Sequence, residues 1–225
     1  MSRILAIESS GSVCSVAMFE DGNCLEVREI REMNSHAELL ANYCETLIES
    51  QGKPHALSLN TGPGSYTGLR IGVSLVKGLA YGYGIPVIGQ SGLACMARHY
   101  LEGNQESDWI IPCIDARRME VYQAVYDKTG AEVSPIRPLI VEAKAWEGFP
   151  GKKVLIGDGA EKLQEILAER SDISIVAGIF PSATYQLNES FRKFEAEDFL
   201  DLAYFEPVYL KEFQLLTHKK EKYVG

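Results

Sequence analysis

A glycine-rich segment between a predicted strand and a predicted helix is the clearest candidate for chemistry in this chain. Residues 61–73 read TGPGSYTGLRIGV, with Gly62 and Gly64 in the turn and Ser65 or Thr67 placed to cap the helix. Backbone N–H groups at a helix N-terminus can bind an anion such as phosphate. The glycines are not spaced as G-x-G-x-x-G, and no Lys-Ser/Thr pair closes the loop. The segment is therefore interpreted either as an anion site or as a structural tight turn.

An acidic residue ends the first strand in each half of the chain. Glu8 is followed by Ser9, and Asp115 stands two residues before Arg117. Two carboxylates that faced each other across a cleft would suit Mg²⁺. The alternative is that they are strand-end carboxylates paired with Arg117 or Arg118. With the glycine-rich segment, the candidate nucleotide or anion contacts are Glu8, Ser9, Gly62, Gly64, Ser65, Asp115 and Arg117.

Histidine and cysteine patterns do not predict a metal centre or a catalytic site. The histidines, at positions 36, 55, 99 and 218, include no pair spaced by three or four residues. The five cysteines are widely spread and never two residues apart. We therefore predict no catalytic residue, no bound metal and no cofactor, and we expect reduced thiols, as in a cytosolic protein.

Hydrophobic patterning predicts a similar series of elements in each half. In the first half the predicted strands cover 3–8, 13–19, 25–30, 57–60 and 85–88. One predicted helix ends near residue 50, and two others cover 66–81 and 91–101. In the second half the predicted strands cover 109–114, 120–126, 132–141, 152–156 and 173–176, with helices at 160–170 and 182–194. Glu8 lies nine residues before Ala17, and Asp115 lies nine residues before Ala124. An internal duplication explains these parallels.

Two copies of a βββαβαβα unit are typical of the two-lobed α/β fold of actin, Hsp70 and sugar kinases, in which ATP binds between the lobes. This step concerns fold alone, because function depends on the site. We predict an N-terminal lobe at 1–102, a C-terminal lobe at 103–210, and a basic tail at 211–225 that we expect to be flexible.

Charge and hydropathy narrow the classes of partner. The formal net charge of -9 opposes direct binding of a polyanion, so any RNA should be held mainly by another protein. The first ten residues do not resemble a signal peptide, and no segment is long and apolar enough to cross a bilayer. We therefore expect a cytoplasmic protein without membrane contact.

Small residues form two strips on the helix that follows the glycine-rich turn. Gly68 and Gly72 are four residues apart, as are Ser74, Gly78 and Gly82. Each glycine inside a helix costs about 1 kcal/mol relative to alanine, so close approach of another element is expected. That element is either the chain's own first helix or the same helix of a second subunit, and the residues alone favour neither.

Six segments, in order, resemble the TsaB (YeaZ) family over nearly the whole chain. They are ILAIESS, SHAELL, TGPGSYTGLRIG, PVIGQS, IDARRMEVY and EPVYL. Residues 51–60 are shorter than is usual in that family, which leaves the local strand pairing open. The related catalytic subunit TsaD carries a His-x-x-x-His metal motif, whereas the equivalent stretch here is residues 90–96, QSGLACM.

The resemblance implies a non-catalytic partner of TsaD that acts with the ATPase TsaE in forming threonylcarbamoyladenosine beside the tRNA anticodon. It also implies a homodimer in isolation and contact with tRNA only through the complex. The alternatives are a kinase-like ATPase or metallopeptidase and a purely structural homodimer. Proteins of the TsaB family associate through their N-terminal lobe, so the resemblance favours an interface as the role of the small residues on the helix at 66–81. The expected contacts are His36, Leu40, Tyr43, Gly68, Gly72, Leu75, Gly78, Leu79 and Gly82.

Overall fold

The computed structural model describes residues 1–31, 36–104 and 106–211, excluding the side chains at 36 and 37. The first sheet contains β1 (Arg3–Glu8), β2 (Cys14–Glu20), β3 (Asn23–Ile30), β4 (Ala56–Asn60) and β5 (Val87–Gln90). Three helices belong to the same half: α1 (His36–Gln51), α2 (Tyr66–Tyr83) and α3 (Gly92–Gly103). In the described part of the chain, no helix is long and apolar enough to cross a membrane.

The second half repeats the sheet. Its strands are β6 (Trp109–Asp115), β7 (Glu120–Asp127), β8 (Glu132–Ile140), β9 (Lys153–Ile156) and β10 (Ile173–Val176). A short helix α4 (Asp158–Glu161) separates the last two strands, and a 3-10 turn (Ala183–Gln186) leads into α5 (Leu187–Glu195).

The strand order confirms the predicted two-lobed, duplicated architecture. The sheets run β3-β2-β1-β4-β5 and β8-β7-β6-β9-β10, so each strand has a counterpart at the same position. The first three strands of each lobe are antiparallel, and the last two are parallel to the first. In particular, β4 pairs with both β1 and β5, so the short segment before it does not disturb the sheet.

Helical structure differs between the halves. Residues 143–148 form turns where the first lobe has α1, and Trp146 adopts a positive φ of 59° and is buried in the second-lobe core. The predicted helix at 160–170 is wrong beyond α4, because residues 162–169 form turns. Leu163 and Leu167 nevertheless enter the core from these turns. The apolar residues at helical spacing thus reach the core from turns, and the backbone hydrogen bonds of these turns mostly join residues three positions apart.

Helices are exchanged between the lobes, which the predicted division at 102 and 103 does not anticipate. Helix α3 packs on the second sheet through Leu93, Met96 and Tyr100. The 3-10 turn and α5 pack on the first sheet, where Ala183 joins the core. Strands β1 and β4 are buried on both faces because α1 and α2 cover one side and α5 covers the other.

Residues 200–211, here called the C-terminal strap, also return to the first lobe. The Leu200 N–H donates to the Val87 carbonyl at 2.8 Å, and Phe205 is buried in the first-lobe core. Leu210 then packs against the second lobe. The strap therefore spans both lobes, and the predicted tail beyond residue 211 lies outside the described residues.

Candidate functional site

The carboxylate of Glu8 is enclosed by donors from its own chain. Its side chain ends β1 with only 1% of the residue exposed. One oxygen accepts the Ser10 N–H at 2.7 Å, and the other accepts the Asn60 amide at 2.7 Å. Burial raises the pKa of Glu8, while the hydrogen bonds from Ser10 and Asn60 act in the opposite direction. Both oxygens are already bonded inside the fold, so they do not face a ligand in the cleft.

Asn60, at the end of β4, organises this corner, although no sequence motif predicts that role. Its carbonyl oxygen accepts the N–H groups of Gly62 and Gly92, both at 3.0 Å. Its amide nitrogen also donates to the Ser10 hydroxyl at 2.8 Å. Asn60 thereby joins the first strand, the glycine-rich turn and the start of α3. The only signal in the sequence is a polar residue that ends a buried strand just before the turn.

The glycine-rich turn is filled by the loop that follows β1. The Ser65 N–H, at the start of α2, donates to the Ser10 carbonyl at 2.6 Å. A Cβ at Gly64 would overlap that same carbonyl oxygen. The Ser65 hydroxyl caps the helix by accepting the Gly68 N–H at 3.4 Å. The structural-turn interpretation therefore accounts for Gly62, Gly64 and Ser65, since the chain itself bonds the N–H groups of Gly62, Ser65 and Gly68.

Ser9 is also committed to internal packing. Its hydroxyl donates to the Gly68 carbonyl at 2.9 Å. A Cβ at Gly68 would overlap the Ser9 carbonyl, and one at Gly72 would overlap the Ser9 hydroxyl. These two buried glycines let α2 approach the loop after β1. Internal packing therefore explains their small size, and their predicted place in an interface stays a prediction.

The second-lobe carboxylate has a different partner from the predicted one. Asp115 forms an ion pair with Lys162, not with Arg117 or Arg118. It also accepts the Arg117 N–H at 2.8 Å. Asp158 accepts the Asp115 N–H at 3.0 Å, and burial raises the pKa of Asp158. The partly exposed Asp115 carboxylate thus stabilises the turn that follows β6. Glu8, its counterpart in the first lobe, is enclosed.

The lobes meet closely at this point. A Cβ built on Gly11, in the loop after β1, would lie 3.9 Å from an Asp158 carboxylate oxygen. Among residues 1–31, 36–104 and 106–211, no three His, Cys, Asp or Glu side chains come together in a way that could hold a metal ion.

The C-terminal strap closes the cleft beside the glycine-rich turn. The Val208 N–H donates to the Thr61 carbonyl at 2.8 Å. The Tyr209 ring stacks on Tyr66 of α2, with centroids 4.6 Å apart and planes 7° apart. Lys211 then reaches the second lobe, where its amine pairs with Glu120. The strap thus links the first-lobe turn to the second lobe.

The remaining predicted interface residues divide into core and surface. Leu40 is fully buried against the first sheet, because it shares the inward face of α1 with Cys44 and Leu47. Packing within the chain therefore accounts for Leu40, and its predicted interface role stays a prediction. Gly78 and Gly82 lie on the exposed side of α2, with open space where a Cβ would be.

A groove of about 620 Å³ runs between α1 and α2 on this exposed side. Leu75, Leu79 and Tyr83 of α2 line it together with the half-buried Ile48 of α1. Tyr43 is half-buried in the core below, and the side chain of His36 lies outside the described part. The α1 wall supplies residues at helical spacing that the sequence prediction missed: Glu38, Ala41, Asn42, Glu45 and Glu49. We call this feature the α1–α2 groove.

Comparison with known proteins places this geometry in a family. The family model described as TsaD, tRNA N6-adenosine threonylcarbamoyltransferase, matches residues 33–164. The TsaB protein of Escherichia coli is 30% identical over 93% of this chain and 94% of its own length. The TsaB protein of Bacillus subtilis is 30% identical over 72% of this chain and 66% of its own length.

A solved structure agrees with the fold over almost the full length. YeaZ from Pseudomonas aeruginosa superposes with a TM-score of 0.79 at 26% identity, covering 93% of this chain and all of that one. The glycine-rich turn, the duplicated sheets and these matches lead to one conclusion. The chain belongs to the TsaB (YeaZ) family of tRNA threonylcarbamoyladenosine biosynthesis proteins.

Proposed function

We propose that this chain is a non-catalytic subunit that binds TsaD and, with the ATPase TsaE, supports threonylcarbamoyl transfer to the tRNA adenosine beside the anticodon. The observation that carries the proposal is the filled glycine-rich turn. The Ser65 N–H, which could have bound phosphate at the start of α2, is bonded to the Ser10 carbonyl at 2.6 Å. The fold of a nucleotide-binding protein is retained while its anion site is used for packing.

A kinase-like ATPase would need that same turn to open. Opening would separate Ser10 from Ser65 and expose Glu8, whose two oxygens are bonded at 2.7 Å each. An unpaired buried group of this kind costs free energy unless a ligand replaces the lost bonds. No contact in the described residues favours either an ATPase or a metallopeptidase as a second function.

The α1–α2 groove is the proposed contact surface for TsaD. Leu75 and Leu79 provide an apolar floor. Gly78, next to Leu79 in sequence and exposed on α2, would allow another backbone to come close. Glu45 and Glu49 on the opposite wall would complement basic side chains of a partner. Apolar area at the centre with charge at the rim is the usual organisation of a specific interface.

We propose that the same groove mediates self-association when TsaD is absent, so that the homodimer and the TsaD complex compete. The assembly would work in the cytoplasm and would meet tRNA mainly through TsaD, because this chain carries a net charge of -9. The role of the chain is then to hold TsaD in a competent conformation.

Reconstitution tests this function directly. TsaD and TsaE from the same cell are supplied with tRNA and threonylcarbamoyl-adenylate, with or without this chain, and modified adenosine is measured. We expect product only when the chain is present and no hydrolysis of ATP by the chain alone. Full activity of TsaD and TsaE without it would refute the proposal.

A matched pair of variants tests the surface. Gly78→Leu adds bulk on the exposed side of α2, where an added Cβ meets open space. Gly103→Leu adds the same bulk at the end of α3, where an added Cβ also meets open space. Gly78→Leu should reduce product and weaken assembly in sedimentation, with partial recovery at excess protein. Gly103→Leu should behave as the wild type. Equal behaviour of the two variants would place the interface elsewhere.

A further inference from the structure

Two neighbouring arginines stand in an unfavourable backbone conformation at the mouth of the cleft. Arg117 and Arg118 lie in the turn between β6 and β7, with φ of 70° and 53°. Residues with a Cβ avoid this left-handed region, and two in succession are uncommon. Such strain persists when surrounding contacts impose it, and it is frequent at functional sites.

Contacts from several elements hold this turn. The Ala116 N–H donates to the Glu120 carbonyl at 3.1 Å, and the Val141 N–H donates to the Met119 carbonyl at 2.9 Å. From the strap, the Lys211 amine donates to the Ala116 carbonyl at 3.3 Å. The Asp115 carboxylate, fixed by its ion pair with the lysine that follows α4, accepts the Arg117 N–H. The turn is therefore a fixed platform.

The platform presents both guanidinium groups to solvent. Both residues are exposed, and among the described residues neither side chain forms an ion pair or a hydrogen bond. By contrast, Arg3, Arg28 and Arg170 each pair with a carboxylate. In a chain with 31 acidic and 22 basic residues, two adjacent arginines without an acidic partner point to an anion from outside.

Further cations adjoin this turn. The strap brings Lys211 beside it, and Arg70 of α2 lies over the Tyr66 and Tyr209 rings at 5.7 and 5.8 Å. Two exposed guanidinium groups held side by side suit the regularly repeated single charges of a phosphodiester backbone.

We propose that the turn at Arg117 and Arg118 is a contact surface for the phosphate backbone of RNA. The planar guanidinium binds phosphate through two parallel hydrogen bonds, which makes arginine well suited to this role. The inference rests on the proposed function, because that function brings tRNA to the assembled complex. This chain then contributes a few phosphate contacts while TsaD holds most of the RNA.

The test uses the complex of this chain with TsaD and TsaE and a fluorescently labelled tRNA, with affinity measured over a range of KCl concentrations. The Arg117→Gly/Arg118→Gly variant removes both guanidinium groups, and glycine accepts the positive φ of the turn. The control, Lys128→Ala/Lys152→Ala, removes the same charge at the opposite end of the second sheet, where β7 ends and β9 begins.

Loss of two phosphate contacts should reduce the slope of log affinity against log salt by about 1.4–1.8, with binding roughly tenfold weaker at low salt. The control should keep the wild-type slope. An unchanged slope in the glycine variant, in a complex that assembles and modifies tRNA as wild type, would overturn this inference alone.

Two other outcomes are informative. If the glycine variant fails to assemble with TsaD or TsaE, the turn binds an acidic protein surface and the RNA assignment is wrong. If the wild-type chain itself neither assembles nor supports modification, the proposed function fails and this inference loses its basis with it. Thermal unfolding of the variant checks folding, and its midpoint is expected close to that of the wild type, because the relieved strain offsets the greater entropy of glycine in the unfolded chain.

Discussion

The same substitution at two glycines of α2 is expected to change stability in opposite directions. Gly68 faces the loop after β1, and a methyl group there would overlap the Ser9 carbonyl oxygen. Gly78 lies ten residues later on the exposed side, with nothing within 4 Å of an added Cβ. Replacement by alanine therefore separates the intrinsic helix preference from the cost of filling the contact.

The magnitudes follow from the contacts. Alanine in place of a helical glycine gains about 1 kcal/mol, which is the whole effect expected at Gly78. At Gly68 the helix must move away from the loop, at an overpacking cost of about 1–3 kcal/mol. The move also strains two hydrogen bonds, Ser65 N–H to the Ser10 carbonyl and Ser9 hydroxyl to the Gly68 carbonyl. Each of these hydrogen bonds is worth about 0.5–1.5 kcal/mol. When the gain of about 1 kcal/mol from the helix preference is subtracted, Gly68→Ala should lower the free energy of unfolding by about 1–5 kcal/mol.

Equilibrium urea unfolding followed by far-ultraviolet circular dichroism measures both variants. Gly78→Ala should unfold at a higher urea concentration than the wild type, and Gly68→Ala at a clearly lower one. A Gly68→Ala variant as stable as Gly78→Ala would refute the idea that the glycine-rich turn is filled by the chain, and with it the main support for a non-catalytic role.

Three further predictions concern titration and reactivity. Because burial raises the pKa of Glu8 above its ordinary 4.5, the native state retains the proton better than the unfolded chain. The stability of the wild type relative to Glu8→Gln should therefore fall as pH rises above 4.5. A wild-type urea midpoint that rises relative to that of Glu8→Gln over this pH range would contradict the prediction. Arg170 and Lys153 hold the pKa of Asp172 well below its usual 3.8, so Asp172→Asn should lower the urea midpoint at neutral pH. That difference should vanish as pH falls through 3.8 towards the folded-state pKa, whereas a constant difference would rule out the ion pairs as its cause. Finally, Cys24 is exposed while the other four cysteines are buried. Burial, only partial for Cys24, raises the pKa of all five thiols, so accessibility decides that a thiol reagent should modify Cys24 first and the others only on unfolding. Rapid reaction of a second thiol would contradict the described core.

Local sequence patterns were sufficient for most strands and for the duplication. The turn at Asp21 and Gly22 lies between β2 and β3 as the dipeptide predicts, and both residues have the positive φ that such a hairpin turn requires. Strand alternation is a property of neighbouring residues, so it is readable without the fold. The same holds for the Ser65 cap, which depends on positions within one helical turn.

Tertiary structure decided what each apolar or small surface contacts. Hydrophobic spacing on α1 shows that Leu40 belongs to a face that is buried, but it does not show whether the burial is against the sheet or a partner. The two strips of α2 glycines look alike in sequence, yet Gly68 meets the loop after β1 and Gly78 meets solvent. The difference arises because α2 has one side on the sheet and one side in water.

The exchange of helices between lobes was equally unreadable from the sequence. Helix α3 belongs to the first half by order but packs on the second sheet, while α5 and the strap return to the first. Periodicity within a helix reports the width of its apolar face and carries no information about which sheet receives it. That choice depends on contacts between residues a hundred or more positions apart, such as the 2.9 Å hydrogen bond from the Gln186 amide to the Ile7 carbonyl. The sequence by itself therefore determined most strands and the family, whereas the filled turn, the enclosed Glu8 and the groove follow only from long-range packing.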